Sequence, residues 1–212
     1  GGSPGTRETD LLNPLQVVEL IDALVLSGGS AFGLDAASGT QAWLSEQGRG
    51  YPVPPMRIPI VPAAILFDLR NGGDKDWGRY PPYREQGFDA AAAATTSSNT
   101  GKVGAGFGAT TAAGPGGLGI ASQKTSNEAV VMAVMAVNAA GSPYVGTSDH
   151  FWAAGFEQNG EFGGRGFPQP WPDDALNPTT KAGHSAAGMN TTIGAVITNV
   201  AISKVEAKQI AV

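Results

Sequence analysis

Met189-Asn190-Thr191-Thr192-Ile193-Gly194-Ala195-Val196-Ile197-Thr198-Asn199-Val200 changes character across a single peptide bond. The residues leading up to Asn190 are polar or small, whereas Thr191 to Val200 is β-branched and continuous, which predicts a strand. A threonine that opens such a strand behind a flexible polar segment suits self-processing. If the Thr191 hydroxyl attacks the Asn190 carbonyl, an ester forms, water cleaves it, and Thr191 becomes a new N-terminus. The freed α-amine, with an unperturbed pKa of about 8, can then act as general base for the same hydroxyl. Two plainer readings stay open: a strand that happens to begin with threonines, and a glycosylation acceptor, because Asn190-Thr191-Thr192 also fits Asn-x-Ser/Thr.

Working outward, Ser203 to Val212 is predicted helical, with Ser203 in a capping position. Gly141 to Thr180 has no usable period and is dense in Gly, Pro and aromatic residues, so it is expected to be a functional loop or an insertion. Ala129 to Val137 holds alanine and methionine, which favour helix, but its four valines and short length favour a buried strand. Gly101 to Gly119 is glycine-dense and predicts a strand with close backbone packing, or a lined cleft. Phe88 to Thr95 is alanine-rich and predicts a helix, preceded by a loop from Asn71 to Gln86. The prolines between Tyr51 and Pro62 exclude a helix and leave Ile58 to Phe67 extended. Near the start, Ala23 to Ser27 predicts a short strand, Gly28-Gly29 a tight turn, and Ser30 to about Gln47 a helix.

The 212 residues suit one domain, and 31 Gly with 15 Pro imply a folded chain with many turns. A net charge of −5 without any basic cluster argues against nucleic acid as a partner. No apolar run approaches the ~18 residues of a membrane span. With no cysteine, thiol nucleophiles, disulfides and Cys-based zinc sites are excluded, and His150 and His184 alone cannot build an all-His metal site. Gly28-Gly29-Ser30-Ala31-Phe32-Gly33 lies where anion loops and nucleophile elbows occur but fits neither pattern. Its plain reading is Ser30 as an N-cap behind a glycine turn. Gly104-Ala105-Gly106-Phe107-Gly108 resembles a dinucleotide fingerprint loosely and lacks the helix that should follow. Gly183-His184-Ser185 is adjacency without triad geometry.

Several segments together resemble the self-processing DmpA-like peptidases, the L-aminopeptidase/D-esterase family that includes β-peptidyl aminopeptidases and nylon-oligomer hydrolases. They are Pro4 to Leu12, Val25 to Ala37, Ile60 to Leu69, Gly101 to Gly106, Val137-Asn138-Ala139 and Asn190 to Gly194, in family order across nearly the whole chain. The resemblance implies an α/β fold, a four-layer α/β/β/α sandwich, made from two chains produced by cleavage between Asn190 and Thr191. Residues 1–190 would then be the α-chain portion of a single partial domain and residues 191–212 the start of the β chain. By the same match Thr191 is the nucleophile, and Asn138 stands near the oxyanion, where an amide N–H can meet developing negative charge. The plain alternative for Asn138 is a cap at a strand end.

The chain also departs from that pattern. Phe67 stands where relatives have a site tyrosine and cannot donate a hydrogen bond. Ile65 stands where an acid would hold the substrate amine, and Ala113 where a lysine is expected. Family β chains run on past the position of Val212 and supply carboxylates that orient the nucleophile, and family strands precede the position of Gly1, so a partial sequence is expected. The expectation is an amide hydrolase acting on small peptides or short amide oligomers, with Phe67 and Ile65 on the substrate side and no cofactor or metal. It would form homo-oligomers of αβ units, without nucleic acid or membrane partners. No leader is legible, so a cytoplasmic location is favoured. Rival readings are an acyltransferase resembling the ornithine acetyltransferases and a non-cleaving structural or binding module.

Overall fold

The computed structural model describes residues 4–177, 180–181 and 190–211; Met189 and Gly183-His184-Ser185 lie outside them. In chain order the main elements are β1 (Thr6–Arg7), β2 (Val25–Ser27), α1 (Ala36–Glu46), β3 (Tyr51–Val53), β4 (Met56–Ile58), β5 (Ala63–Ile65), α2 (Tyr83–Ala92), β6 (Thr110–Thr111), β7 (Gly114–Pro115), β8 (Gly117–Lys124), β9 (Val130–Asn138), β10 (Thr191–Thr198) and α3 (Lys204–Ala211). This is a mixed α/β architecture with several sheets and few helices. Among the described residues no helix is long and apolar enough to cross a membrane.

Two three-stranded sheets carry the fold. One has the order β1-β5-β2 and the other β8-β9-β10. β2 and β5 run parallel, so the chain must cross over between them, and α1 lies within that crossover. Because side chains alternate along a strand, Val25 and Leu26 serve opposite faces. Val25 packs with Ala63 and Val61 against Ala37, Trp43 and Leu44 of α1. Leu26 and Leu66 pack against Ala105, Ala109, Leu118, Ala136 and Ile193, and the last three of these come from β8, β9 and β10. The first sheet is therefore covered by a helix on one face and by the second sheet on the other. Val61 and Leu66 are fully buried, each stabilising the fold by roughly 1.5–3 kcal/mol.

The strands Val130–Asn138 and Thr191–Thr198 match the sequence reading closely, and so does the terminal helix. Ser203 forms a capping box with Glu206: the Glu206 N–H donates to Ser203 Oγ and the Ser203 N–H donates to Glu206 Oε2. Lys204 ties this end back to the start of the chain, donating to the carbonyls of Leu11, Gln16 and Val18.

Three expectations need correction. First, α2 begins at Tyr83, inside the expected loop. Pro81-Pro82 fixes the backbone where helix N–H groups lack partners in any case, and Gly87 lets α1 approach closely enough that a Cβ there would collide with the Ala36 carbonyl. Second, Gly101 to Gly119 is not one strand. A 3-10 turn at Gly104–Gly106 and a two-stranded β6-β7 hairpin precede β8. The close packing is real at Gly106, where a Cβ would run into the backbone of Gly117 and Leu118, but Gly104 has open space and a φ of +48° instead. Third, Ser30 is no N-cap. It sits at φ 53°, makes no capping hydrogen bond, and opens a 3-10 turn (Ser30–Asp35) that precedes α1. Within the expected loop, residues 144–171 make local aromatic contacts such as Tyr144 with Phe151 and Trp152 with Trp171.

Candidate active site

The long antiparallel ladder sets the central geometry. β10 pairs with β9 so that Thr191 stands opposite Asn138, Ile193 opposite Ala136, and Thr198 opposite Val131. Directly paired residues share a face, with Cβ atoms about 4.5–5.5 Å apart. Ile193 and Ala136 belong to the core between the two sheets. With a period of two, Thr191 and Asn138 point to that same inter-sheet side. Asn190, just before the strand, is exposed.

Asn138 is the last residue of β9 and only 1% exposed, so its amide must find partners inside the protein. Its Nδ2 donates to the Phe67 carbonyl at 2.8 Å, while its Oδ1 accepts from the Thr110 N–H at 3.0 Å and from Lys181 Nζ at 2.9 Å. Nδ2 carries two hydrogens, and the Phe67 carbonyl takes one. The strand-end reading and the oxyanion reading of Asn138 are thus compatible, since one end of the amide is used structurally and the second N–H has no acceptor among the described residues. Burial lowers the Lys181 ammonium's pKa below its ordinary value.

Phe67 follows β5 closely and joins this group through its backbone. It also lines a cavity of about 530 Å³ together with Asp68, Arg70, Lys102, Thr110 and Lys181. Asn138 and Thr191 are not among that lining; the connection runs through Phe67, Thr110 and Lys181. Ile65 is 7% exposed, lies beneath Gly5, and does not line the cavity among the described residues. Asp68 carries the glycine turn, because its Oδ1 accepts the Gly29 N–H at 2.7 Å, and it borders a second cavity of about 810 Å³ between the helices and the 104–107 turn. No group of three or more His, Cys, Asp or Glu is placed to share a metal ion among the described residues.

Structure thus gathers Thr191, Asn138 and Phe67, and adds two residues that the sequence reading missed. Thr110 contributes only its backbone, which no side-chain pattern announces. Lys181 lies in a stretch without period, far along the chain from Asn138, and only the β9-β10 pairing could have hinted that the segment before Thr191 returns to the end of β9. Ala113, where a lysine was expected, is exposed in the β6-β7 turn, and the ammonium that reaches this hairpin comes from Lys181.

The profile of peptidase family S58 matches residues 1–212. Proteins named as uncharacterized aminopeptidases in Mycobacterium bovis and Mycobacterium tuberculosis are 39% identical over 212 residues, all of this chain and 60% of each relative. One in Mycobacterium leprae is 35% identical over 218 residues, covering all of this chain and 58% of the relative. The chain therefore spans somewhat under two thirds of the length of these relatives. On the full-length family match and these identities, the chain belongs to peptidase family S58, the DmpA family.

Proposed function

We propose that the protein is a peptide hydrolase that matures by cleavage between Asn190 and Thr191 and then uses Thr191 as an N-terminal nucleophile. The observation that carries this reading is the strand register, in which Thr191 stands opposite a buried asparagine on the inter-sheet face. In maturation the Thr191 hydroxyl adds to the Asn190 carbonyl carbon, and the C–N bond breaks as the amine takes the hydroxyl proton. Water then hydrolyses the ester to give the Asn190 carboxylate and a free Thr191 hydroxyl. In turnover the α-amine accepts the hydroxyl proton as Oγ1 attacks a substrate amide, and the remaining Asn138 N–H stabilises the oxyanion. The amine product leaves with the transferred proton, and water releases the acyl group. Phe67 contributes an apolar wall rather than a donor, and Ile65 supports the β5 end from within the core.

The fold that accompanies this reading is the four-layer α/β/β/α sandwich. Supporting it are α1 on one face of the first sheet, two sheets sharing a core, and an outer face of the second sheet that carries Val131 and Val196, 40% and 58% exposed, as a seat for further helices. The mature unit would be an αβ pair within a homo-oligomer, acting on small peptides or short amides.

Intact-mass analysis and N-terminal sequencing of the longer protein test the reading. Two chains are expected, the second starting Thr191-Thr192-Ile193-Gly194. A persistent uncleaved species that still hydrolyses amides would overturn the mechanism. Repeating the assay with an added acceptor amine separates hydrolysis from acyl transfer.

A further inference from the structure

Among the described residues, every partner of the Lys181 ammonium is an oxygen of the group around Asn138. Nζ lies 2.9 Å from Asn138 Oδ1, 3.1 Å from the Asn138 carbonyl and 3.2 Å from the Thr110 carbonyl. The Lys181 N–H also donates to the Ala140 carbonyl at 2.9 Å, so the residue is fixed at both its backbone and its tip. No carboxylate pairs with it among the described residues. Three donors meet three acceptors, which leaves the ammonium no hydrogen for a substrate.

The two ends of a primary amide have nearly the same shape, so its orientation is decided by hydrogen bonding. At Asn138 the oxygen end receives the Thr110 N–H and Lys181, and the nitrogen end gives to the Phe67 carbonyl. Turning the amide end for end would set Nδ2 against an N–H and an ammonium, and Oδ1 against a carbonyl. The ammonium is the strongest of these determinants, because hydrogen bonds to charged groups exceed neutral ones and shielding from water strengthens them further.

We infer that Lys181 is a positioning residue for Asn138: it clamps Oδ1 so that the free N–H of Nδ2 stays on the face shared with Thr191. This inference rests on the reading of Asn138 as oxyanion donor. Among the described residues the Lys181 ammonium bonds to Asn138 and to the Thr110 carbonyl and not to Thr191, so it acts on the site through the amide. Its removal should therefore lower kcat and leave KM nearly untouched.

A double-mutant cycle in the longer protein tests it. Lys181→Met should lower kcat between about tenfold and a hundredfold, the scale of a misplaced catalytic group, with KM within about twofold. Lys181→Arg, which keeps charged donors, should recover most of the loss. In an Asn138→Ala background, Lys181→Met should cost almost nothing more, because the group it orients is gone. Equal losses in both backgrounds, or a Lys181→Met kcat within twofold of the parent, would overturn the inference while leaving Asn138's own role intact. If Asn138→Ala leaves kcat unchanged, the oxyanion reading fails, and the inference fails with it. A readout independent of activity is the ¹⁵N-resolved Asn138 side-chain amide pair, assigned by its loss in Asn138→Ala. It should shift or broaden in Lys181→Met, and an unmoved pair would also refute the clamp.

Discussion

The two three-stranded sheets differ in opposite senses. In β1-β5-β2 the strands are two or three residues long, yet Ala63 is fully buried and Ile65 and Ser27 are nearly so. In β8-β9-β10 they run eight or nine residues, yet Val131 and Val196 are exposed. Strand length reflects the hydrogen-bond ladder, whereas burial reflects what covers the faces. Among the described residues the short sheet is covered twice, by α1 and by its neighbour, and the long one only on the inter-sheet side. The candidate site sits where they meet and takes something different from each. From the long sheet it takes register, since a slip of one residue would turn Thr191 away from Asn138's face. From the short sheet it takes a well-packed backbone, the Phe67 carbonyl that holds the amide.

The most severe break in this arrangement removes the group that the register delivers. Thr191→Ala should abolish chain cleavage and lower hydrolysis by at least about 10⁴-fold, while the β9-β10 ladder and the far-UV CD spectrum survive. Thr191→Ser should retain part of both, because the hydroxyl persists. Next comes the residue that joins the sheets. Asn138→Ala should cost about 10²–10³ in kcat. It should also destabilise the fold by about 1–3 kcal/mol in urea denaturation, because the Thr110 N–H and the Phe67 carbonyl lose the buried amide that partners them.

A third break lies in the connection between the sheets. Gly106→Val drives a side chain into the Gly117–Leu118 backbone and should cost about 1–3 kcal/mol or prevent folding. Gly104→Ala meets open space and should cost only about 1–2 kcal/mol, the penalty of a left-handed backbone. Equal effects at the two glycines in thermal melts would mean that close approach is not what Gly106 serves.

The same contrast explains what the sequence made legible. Val130–Asn138 and Thr191–Thr198 announce themselves because a long β-branched run needs little help to be a strand. Ser203 announces a helix start because capping is local chemistry, and the structure adds Glu206 to complete the box. The β5 strand is three residues long and is held by its covers, which lie far away in sequence. Only its extended character could be read, not its pairing with both β1 and β2. Helix α2 was half hidden because Gly87 looks like a breaker until α1 is seen pressing on it. At the site, Thr191 carried a signal in its own residues and in the family pattern, and Asn138 only in the family pattern. Lys181 and Thr110 act through a long-range side-chain reach and a backbone N–H, and neither is a property of local sequence.

The smallest effect sharpens the comparison most directly, because one exchange of hydroxyl and methyl can be made on both sides of it. Thr40 in α1 is 7% exposed, and its Oγ1 donates to the Gly87 carbonyl at 3.0 Å, joining α2 to the helix that covers the short sheet. Thr40→Val keeps the shape and deletes that bond, so it should cost about 0.5–1.5 kcal/mol in urea denaturation. Val196 lies on the outer face of the long sheet, opposite Ala133 and 58% exposed. There Val196→Thr should change the stability of this 212-residue chain by no more than about 0.5 kcal/mol. If the two exchanges cost the same here, the outer face of β10 is already covered and the asymmetry between the sheets is false. The longer protein supplies the second arm. A helical layer seated on Val131 and Val196, as the four-layer reading requires, would bury the new hydroxyl and raise the Val196→Thr cost towards that of Thr40→Val or beyond. An unchanged, near-zero cost in the longer protein would leave that face in water and remove the fourth layer from the fold.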